Sequence, residues 1–418
     1  MTAWLLLGML SMTPETIAAG IIDDLRAGHA AEAHARLGAA GRAAITPDAL
    51  LGAWQQAASP LGAWQSTELV RTAQQNGLTV LVHAVRFEKG GIETTTAVDP
   101  KSEKAEGFFI KPLAPSAPAP YVRADSFTAT DVVVGSAPFE LPGTLTVPRS
   151  KGPFPAVVLV HGSGPHDRDE SIAANRPFKD LAEGLSSRGV MVLRYDKRTL
   201  THGKDLVGKS ITLDEEVILD ALAAVDLLSA RKDVSKIFVV GHSLGALLAP
   251  EIASRSKAVA GVVLLAPPAR KPWEVIPQQL RYVGAPAAKV AEVERAFTAI
   301  KNGDASGGTV LGAPAAYWIE WGKKDGVAVA KKLGKPVLVL RGARDYQVNE
   351  EDFAAWTNGL KGVPNTAVLS IEKANHLFIE GEGKSMPGEY AQPGHMSADV
   401  ITRVAAFVTA STAARKTK

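Results

Sequence analysis

The hydrophobic and polar positions of this chain follow two regimes with a break between them. Up to about residue 112 they describe a small helical-plus-strand domain. Thr13-Pro14-Glu15 opens a helix, with Thr13 as the N-cap and Pro14 at the first helical position, where its missing N–H costs nothing. Ile17, Ile21, Ile22 and Leu25 then recur at helical spacing. The Ala-rich stretches Ala30–Leu37 and Pro47–Ala57 predict two more helices. Ser66–Arg71, Leu78–Phe87 and Gly91–Val98 favour strands, and Phe108–Ile110 adds another. Gln75-Asn76-Gly77 and Lys89-Gly90-Gly91 separate these runs, and Asn-Gly and Gly-Gly between β-prone runs signal hairpins.

Lys111 to Pro120 is rich in Pro and Ala and has little to bury, which predicts a linker over 113–120. From Ser126 strand-like material restarts with Ser126–Val134 and Phe139–Val147. Apolar strands then alternate with helices: Ala156–Val160, Val190–Tyr195, Ile237–Val240, Val259–Leu265, Pro336–Leu340 and Ala367–Ile371. Most of these runs are continuously apolar, which suits a parallel sheet covered on both faces. Thr212 and Glu215 form a capping box at a helix start. The alternation breaks between Ala269 and Lys335, in a stretch too long for a usual βα connection. It predicts a helical insert, about 270–335, over the C-terminal edge of the sheet. The aromatics Trp273, Tyr282, Tyr317, Trp318 and Trp321 in it mostly pack the insert, with one or two lining a substrate pocket. The expected organisation is thus an extension over 1–12, an α+β domain over 13–112, the linker, and an α/β domain over 121–418.

A length of 418 residues fits two or three domains. With 46 Lys and Arg against 43 Asp and Glu, and no basic run interleaved with aromatics, a nucleic-acid partner is not expected. The basic end, Arg415 to Lys418, reads as a solvated tail. The absence of cysteine excludes disulfides, a cysteine nucleophile and thiolate metal sites. Trp4 to Leu7 with Gly8, Met9 and Leu10 resembles the end of a signal-peptide core, yet it lacks a basic start and a clear cleavage site. Two readings stay open: an export signal, which places the protein in the periplasm or outside the cell, and a plain extension, which leaves the cytoplasm open. No other segment approaches the ~18 apolar residues of a membrane span.

The chemistry centres on Gly241-His242-Ser243-Leu244-Gly245, a G-x-S-x-G pattern between the strand Ile237–Val240 and the helix-prone run Ala246–Ala253. A serine on so sharp a turn projects its hydroxyl from the sheet, and the glycines avoid collisions with neighbouring backbone. The helix start adds N–H groups and partial positive charge. A serine hydroxyl needs a base, and a base needs an orienting acid. Asp345 stands just past the strand Pro336–Leu340. Its rivals Glu350, Glu351 and Asp352 read as the first turn of the next helix. His376 stands just past the strand Ala367–Ile371. Its one serious rival among nine histidines is His395. His242, within the turn, is expected to point away from Ser243 or into the pocket wall. The Gly-rich turn His161-Gly162-Ser163-Gly164-Pro165 can aim a backbone N–H at an oxyanion. The donors chosen are the N–H groups of Ser163 and Leu244, with Gly164 as the fallback for the first. His161, His166, Asp167, Asp169 and Glu170 could in principle ligate zinc, but they read as a polar loop lining the cleft. The mechanism needs no metal or organic cofactor.

Beyond the serine motif, His161-Gly162-Ser163-Gly164-Pro165-His166-Asp167-Arg168-Asp169-Glu170 and Asn175-Arg176-Pro177-Phe178-Lys179-Asp180-Leu181-Ala182 resemble a group of bacterial α/β-hydrolase esterases. So do Arg194-Tyr195-Asp196-Lys197-Arg198, Asn375-His376, Pro387-Gly388-Glu389-Tyr390 and Pro393-Gly394-His395. The resemblance covers about 120 to 410. Members of the group often carry a small N-terminal helical-plus-strand domain, similar to 13–112. The resemblance implies the α/β-hydrolase fold, carboxylesterase activity on short acyl esters, frequent export, and a triad of Ser243, Asp345 and His376. Arg168, Asp180, Arg194, Asp196 and Arg198 are expected to form a structural charged network holding the oxyanion loop. The expected partner is a small-molecule ester. The oligomeric state is left open. A serine peptidase or amidase with the same triad is the competing reading, because fold does not decide function. A third reading makes the N-terminal domain a binding module that recruits the hydrolase to a polymeric ligand.

Overall fold

The computed structural model describes residues 13–75, 77–113, 117–206, 211–304 and 309–413. The expected extension over 1–12, Asn76 of the first hairpin, 114–116 of the linker and the basic tail lie outside the described residues. The chain divides into two units. The smaller comprises residues up to 116, joined by 173–175 and 390–393, and the larger holds the rest.

The smaller unit starts with four helices: α1 (Pro14–Ala27), α2 (Ala30–Ala35), α3 (Ala39–Ala44) and α4 (Pro47–Ala58). Thr13 accepts from the Thr16 N–H at 3.3 Å and Thr46 caps α4 in the same way. α3 was not expected, and it buries no residue, so it leaves no periodic signal. Four strands follow as an antiparallel meander: β1 (Trp64–Gln75), β2 (Leu78–Phe87), β3 (Gly90–Asp99) and β4 (Lys104–Pro112). Gln75 pairs with Leu78 around the expected turn, in which Gly77 has φ 80°. Between β2 and β3 the turn is Glu88-Lys89, because Gly90 already pairs with Phe87. The apolar stripe of α1, Ile17 to Leu25, packs with Trp54, Leu81, Val85, Ile92 and Val98 into one core.

The larger unit is built on eight strands: β5 (Phe127–Val134), β6 (Leu141–Pro148), β7 (Phe154–Val160), β8 (Met191–Tyr195), β9 (Val234–His242), β10 (Val259–Leu265), and two later ones. Its helices in this stretch are α5 (Pro177–Ser186), the short α6 (Arg198–Thr201), α7 (Leu219–Ser229) and α8 (Leu244–Arg255). The Thr212–Glu215 box is present, with both reciprocal bonds, but it opens a π-helical turn over Asp214–Ile218 that runs into α7. The insert follows: α9 (Pro272–Tyr282), α10 (Ala287–Lys301), a two-residue hairpin of β11 (Thr309–Val310) and β12 (Ala313–Pro314), α11 (Ala315–Lys323) and α12 (Gly326–Lys332). The chain then completes the sheet with β13 (Val337–Gly342), α13 (Glu350–Leu360) and β14 (Thr366–Ile371), and ends on α14 (Ala398–Ala413).

The strand order is β14-β13-β10-β9-β7-β8-β6-β5. Pairing is parallel from β14 to β8, while β6 runs against both its neighbours. Alternate residues of β7 explain the continuous apolar runs. Ala156, Val158 and Val160 join one core with α7 and α8, and Val157 and Leu159 join a second with α5 and α14. A strand buried on both faces has no polar face to show. The register aligns the carboxyl ends: Val160 pairs with Gly241, His242 with Leu265, Leu265 with Leu340 and Gly342 with Ile371. Five loops, after β7, β9, β10, β13 and β14, therefore leave the sheet side by side, at the edge where open α/β sheets hold their ligands.

Candidate active site

Ser243 forms the turn between β9 and α8, with φ 52° and ψ −116°. That conformation is strained for any residue with a Cβ and is held by its surroundings. Its N–H donates to the Leu265 carbonyl at 2.9 Å, and its own carbonyl receives Ala246 and Leu247. The flanking glycines have a steric cause. A Cβ at Gly245 would lie 2.6 Å from the carbonyl oxygen of His161, and one at Gly241 would strike the backbone of Gly245. The turn is thus wedged against the loop leaving β7. Leu244 is the first residue of α8 and is buried, so its N–H belongs to the set that a helix start leaves without an internal partner.

Past β13, Asp345 is buried and accepts from the backbone N–H of Gln347 at 2.8 Å and of Val348 at 3.0 Å through one oxygen. Its other oxygen lies 2.7 Å from Nδ1 of His376, which is buried past β14. Asn375 shapes the histidine loop, its side-chain oxygen accepting from Leu377 and Ile379. The rival acids stand elsewhere. Glu350 and Glu351 are in the first turn of α13, capped by Asn349. Asp352 is fully buried and accepts from the N–H of Ala269 and Arg270 while pairing with the Arg270 guanidinium at 2.8 Å. The rival base His395 is bonded to Asp180, 3.0 Å away.

The loop after β7 carries Ser163, and its four consecutive charged residues are anchored in four directions. Asp167 closes its own turn onto the N–H of Asp169 and Ser171. Arg168 pairs with Asp196, and Asp169 with Arg194 at 2.8 Å. Glu170, fully buried and at φ 49°, reaches back to accept from the Gly162 N–H at 2.6 Å. Lys197 donates to the Gly162 carbonyl at 2.8 Å and pairs with Glu216, both side chains being buried. The expected charged network is therefore a set of separate pairs, since Arg198 goes to Asp220 and Asp180 to His395. Sequence reasoning gave no role to Glu170, Lys197 or Glu216. In the same loop, His161 Nε2 lies 3.0 Å from the Asp167 carbonyl and His166 Nε2 2.7 Å from that of Ser163. Burial holds the His161 imidazole neutral, its pKa lowered to about 4.

Ser243 and Ser163 share the wall of a cavity of about 380 Å³, within the range of small-molecule sites. The rest of its wall is mainly apolar, drawn from the insert and from 346–348: Val275, Ile276, Leu280, Trp318, Trp321 and Val348 among others. Of the insert aromatics, Trp318 and Trp321 line the cavity and stack on each other at 5.6 Å. Tyr317 is instead buried and bonded to Glu216, Trp273 packs over Gly322, and Tyr282 stacks on Tyr346 at 4.8 Å. Arg270 also lines the cavity, with its charge matched by Asp352 and Glu351.

Among known proteins, esterase EstD of Thermotoga maritima is 44% identical over 328 residues, which is 78% of this chain and 78% of that protein. Solved structures are similar at lower identity. Est1E from Butyrivibrio proteoclasticus is 17% identical with a TM-score of 0.45, covering 68% of this chain and 99% of that one. The Pyrococcus furiosus esterase Pf2001 is 19% identical with a TM-score of 0.44, covering 72% and 97%. The sequence model of the alpha/beta hydrolase family matches residues 157–392, from within β7 to past the histidine loop. By that match, by the identity to EstD and by an eight-stranded, mostly parallel sheet with helices on both faces, this chain belongs to the alpha/beta hydrolase family.

Proposed function

We propose that this chain is a serine carboxylesterase that hydrolyses short-chain acyl esters through Ser243, His376 and Asp345. Ester hydrolysis is the reaction of its 44%-identical relative EstD, by that protein's name. The observation that carries the triad is the 2.7 Å contact of His376 Nδ1 with Asp345, at the same carboxyl edge of the sheet as a strained serine turn, with β10 between β13 and β9. With Nδ1 donating to the carboxylate, Nε2 is the basic nitrogen. It takes the Ser243 proton as the hydroxyl oxygen attacks the ester carbonyl, and the Asp345 carboxylate stabilises the imidazolium that forms. The oxyanion is received by the N–H groups of Leu244 and Ser163; the neighbouring Gly162 N–H is already committed to Glu170. His376 then hands the proton to the leaving alcohol. The same nitrogen draws a proton from water to release the acid from Ser243.

The apolar cavity beside Ser243 supports a neutral acyl group, since the one arginine in its wall is matched by acidic partners. Export to the periplasm or medium belongs to the same proposal and is read by cell fractionation. Among the described residues no helix is long and apolar enough to cross a membrane.

The test is kcat/KM across acetyl, butyryl, octanoyl and palmitoyl esters and an aminoacyl anilide, beside organophosphonate labelling. Turnover should be greatest on the shorter esters, and the probe should map to Ser243. A maximum at palmitoyl points to a lipase, efficient anilide cleavage to a peptidase, and an adduct on another serine removes the nucleophile assignment.

A further inference from the structure

His242 stands between two acceptors. Its Nδ1 lies 3.0 Å from Oε2 of Glu170, an ion-pair contact without hydrogen-bond alignment, and its Nε2 lies 3.0 Å from the backbone carbonyl of His376. A carbonyl oxygen only accepts, so Nε2 carries a proton. Glu170 uses its other oxygen to accept from Gly162 at 2.6 Å. One buried pair thus touches three loops: the oxyanion loop through Gly162, the serine turn through His242 itself, and the base's loop through the His376 backbone. Glu170 adopts a left-handed φ of 49° to reach this position with its side chain fully enclosed, a cost that the surrounding contacts must offset. The rings of His242 and His376 are 4.8 Å apart.

Resting on the triad reading above, we propose that Glu170 and His242 are positioning residues: an ionised pair that fixes the oxyanion loop, the nucleophile's turn and the base's loop in register, and keeps a positive charge beside His376. A buried unpaired charge is expensive, so each member of the pair requires the other. Burial alone would raise the Glu170 carboxyl, and the charge of His242 more than reverses this, holding its pKa down at about 2. Burial alone would lower His242, and the Glu170 carboxylate more than reverses that and raises it. The groups that face the pair are His376 and Asp345 on the far side of His242, and His161 and His166 on the loop of Glu170. Lys197, already paired with Glu216, stands behind Gly162. The positive end of the pair is the end nearer His376, so loss of the pair's charge removes a like charge that an imidazolium there would face, and the acid limb of the pH–rate profile should move up.

Three variants and one spectrum test this. Glu170→Gln keeps size and leaves His242 neutral. His242→Gln keeps an N–H for the His376 carbonyl and removes the charge. Glu170→Asp keeps the charge on a shorter stem. On an acetyl ester, the two Gln variants should lose roughly 10- to 100-fold in kcat, with KM within about 3-fold of wild type. The acid limb of kcat/KM should move up by about half a pH unit or more. Glu170→Asp should leave the limb in place. In the wild type, ¹⁵N spectra of the histidine rings should show His242 still protonated on both nitrogens at a pH where a free imidazole is neutral. A neutral His242 overturns the proposal even if no variant folds. So does a folded Gln variant with an unmoved acid limb, whether kcat is retained or lost, because packing alone would explain it. Organophosphonate labelling of Ser243 in the wild type separates this result from a failure of the triad itself.

Discussion

Asp345 divides its two oxygens between two tasks: one accepts from the backbone of Gln347 and Val348, and the other lies 2.7 Å from His376. The backbone bonds fix the carboxylate so that the imidazole, rather than the acid, must adapt. Asp345→Asn can retain the shape while presenting an amide N–H to Nδ1, which selects the wrong tautomer. The expected loss in kcat is roughly 10³-fold or more. Steady-state kinetics on an acetyl ester checks it, with circular dichroism to confirm folding.

His376→Ala should be as severe, and His395→Ala much milder. His395 is engaged by Asp180, whose other contact is the Met396 N–H. Its removal costs a partly exposed hydrogen bond near the start of α14, worth about 1 kcal/mol. The expected result is a lower melting temperature with kcat within about 3-fold of wild type. Equal losses for the two histidines would reverse the assignment of the base.

Gly342 ends β13 where the histidine loop crosses it. A Cβ there would overlap the carbonyl oxygens of Ala374 and Asn375, at 2.5 Å from the latter. Gly342→Ala must therefore push the segment leading into His376 away from Asp345. A displacement near 1 Å should lower kcat about 10²-fold. The check is kcat beside the extent of phosphonate labelling, which should slow in parallel. Unchanged rates in a folded variant would mean that the loop yields without moving the imidazole.

Trp321 lines the cavity and stacks on Trp318. Trp321→Ala should open room for longer acyl chains and shift the best substrate from acetyl or butyryl toward octanoyl. Each methylene newly buried is worth about 0.8 kcal/mol. The ester series measured on wild type and variant decides it. An unchanged optimum would place the acyl group away from the insert.

Much of the larger unit was legible because its strands are buried on both faces, so their apolar runs are unbroken and their ends can be read closely. The serine turn was legible because its glycines answer a steric demand that only a strand-to-helix bend creates. Asp345 and His376 could be placed at strand ends, but their 2.7 Å separation depends on register, which no local pattern records. Helix α3 hides because nothing in it is buried. Which one or two of the insert aromatics line the pocket, Trp318 and Trp321 rather than Tyr317 or Trp273, was not legible, since sequence shows an aromatic residue without showing which side of its helix meets the cavity. Glu170 was hidden for a different reason. Within His166-Asp167-Arg168-Asp169-Glu170 every residue looks like solvated loop, and the partner that sets it apart, His242, is remote in sequence.

The anchoring of that loop has a consequence for exchange between relatives. Arg168, Asp169 and Glu170 each end on a residue from another part of the chain: Asp196, Arg194 and His242. The loop is therefore not a portable cassette. Transplanted alone into another hydrolase, it would arrive with three charges and no counterparts, and the buried one would have no route to water. A functional graft must carry the β8 end and the residue before the nucleophile along with it, so these positions form one heritable unit scattered over three segments.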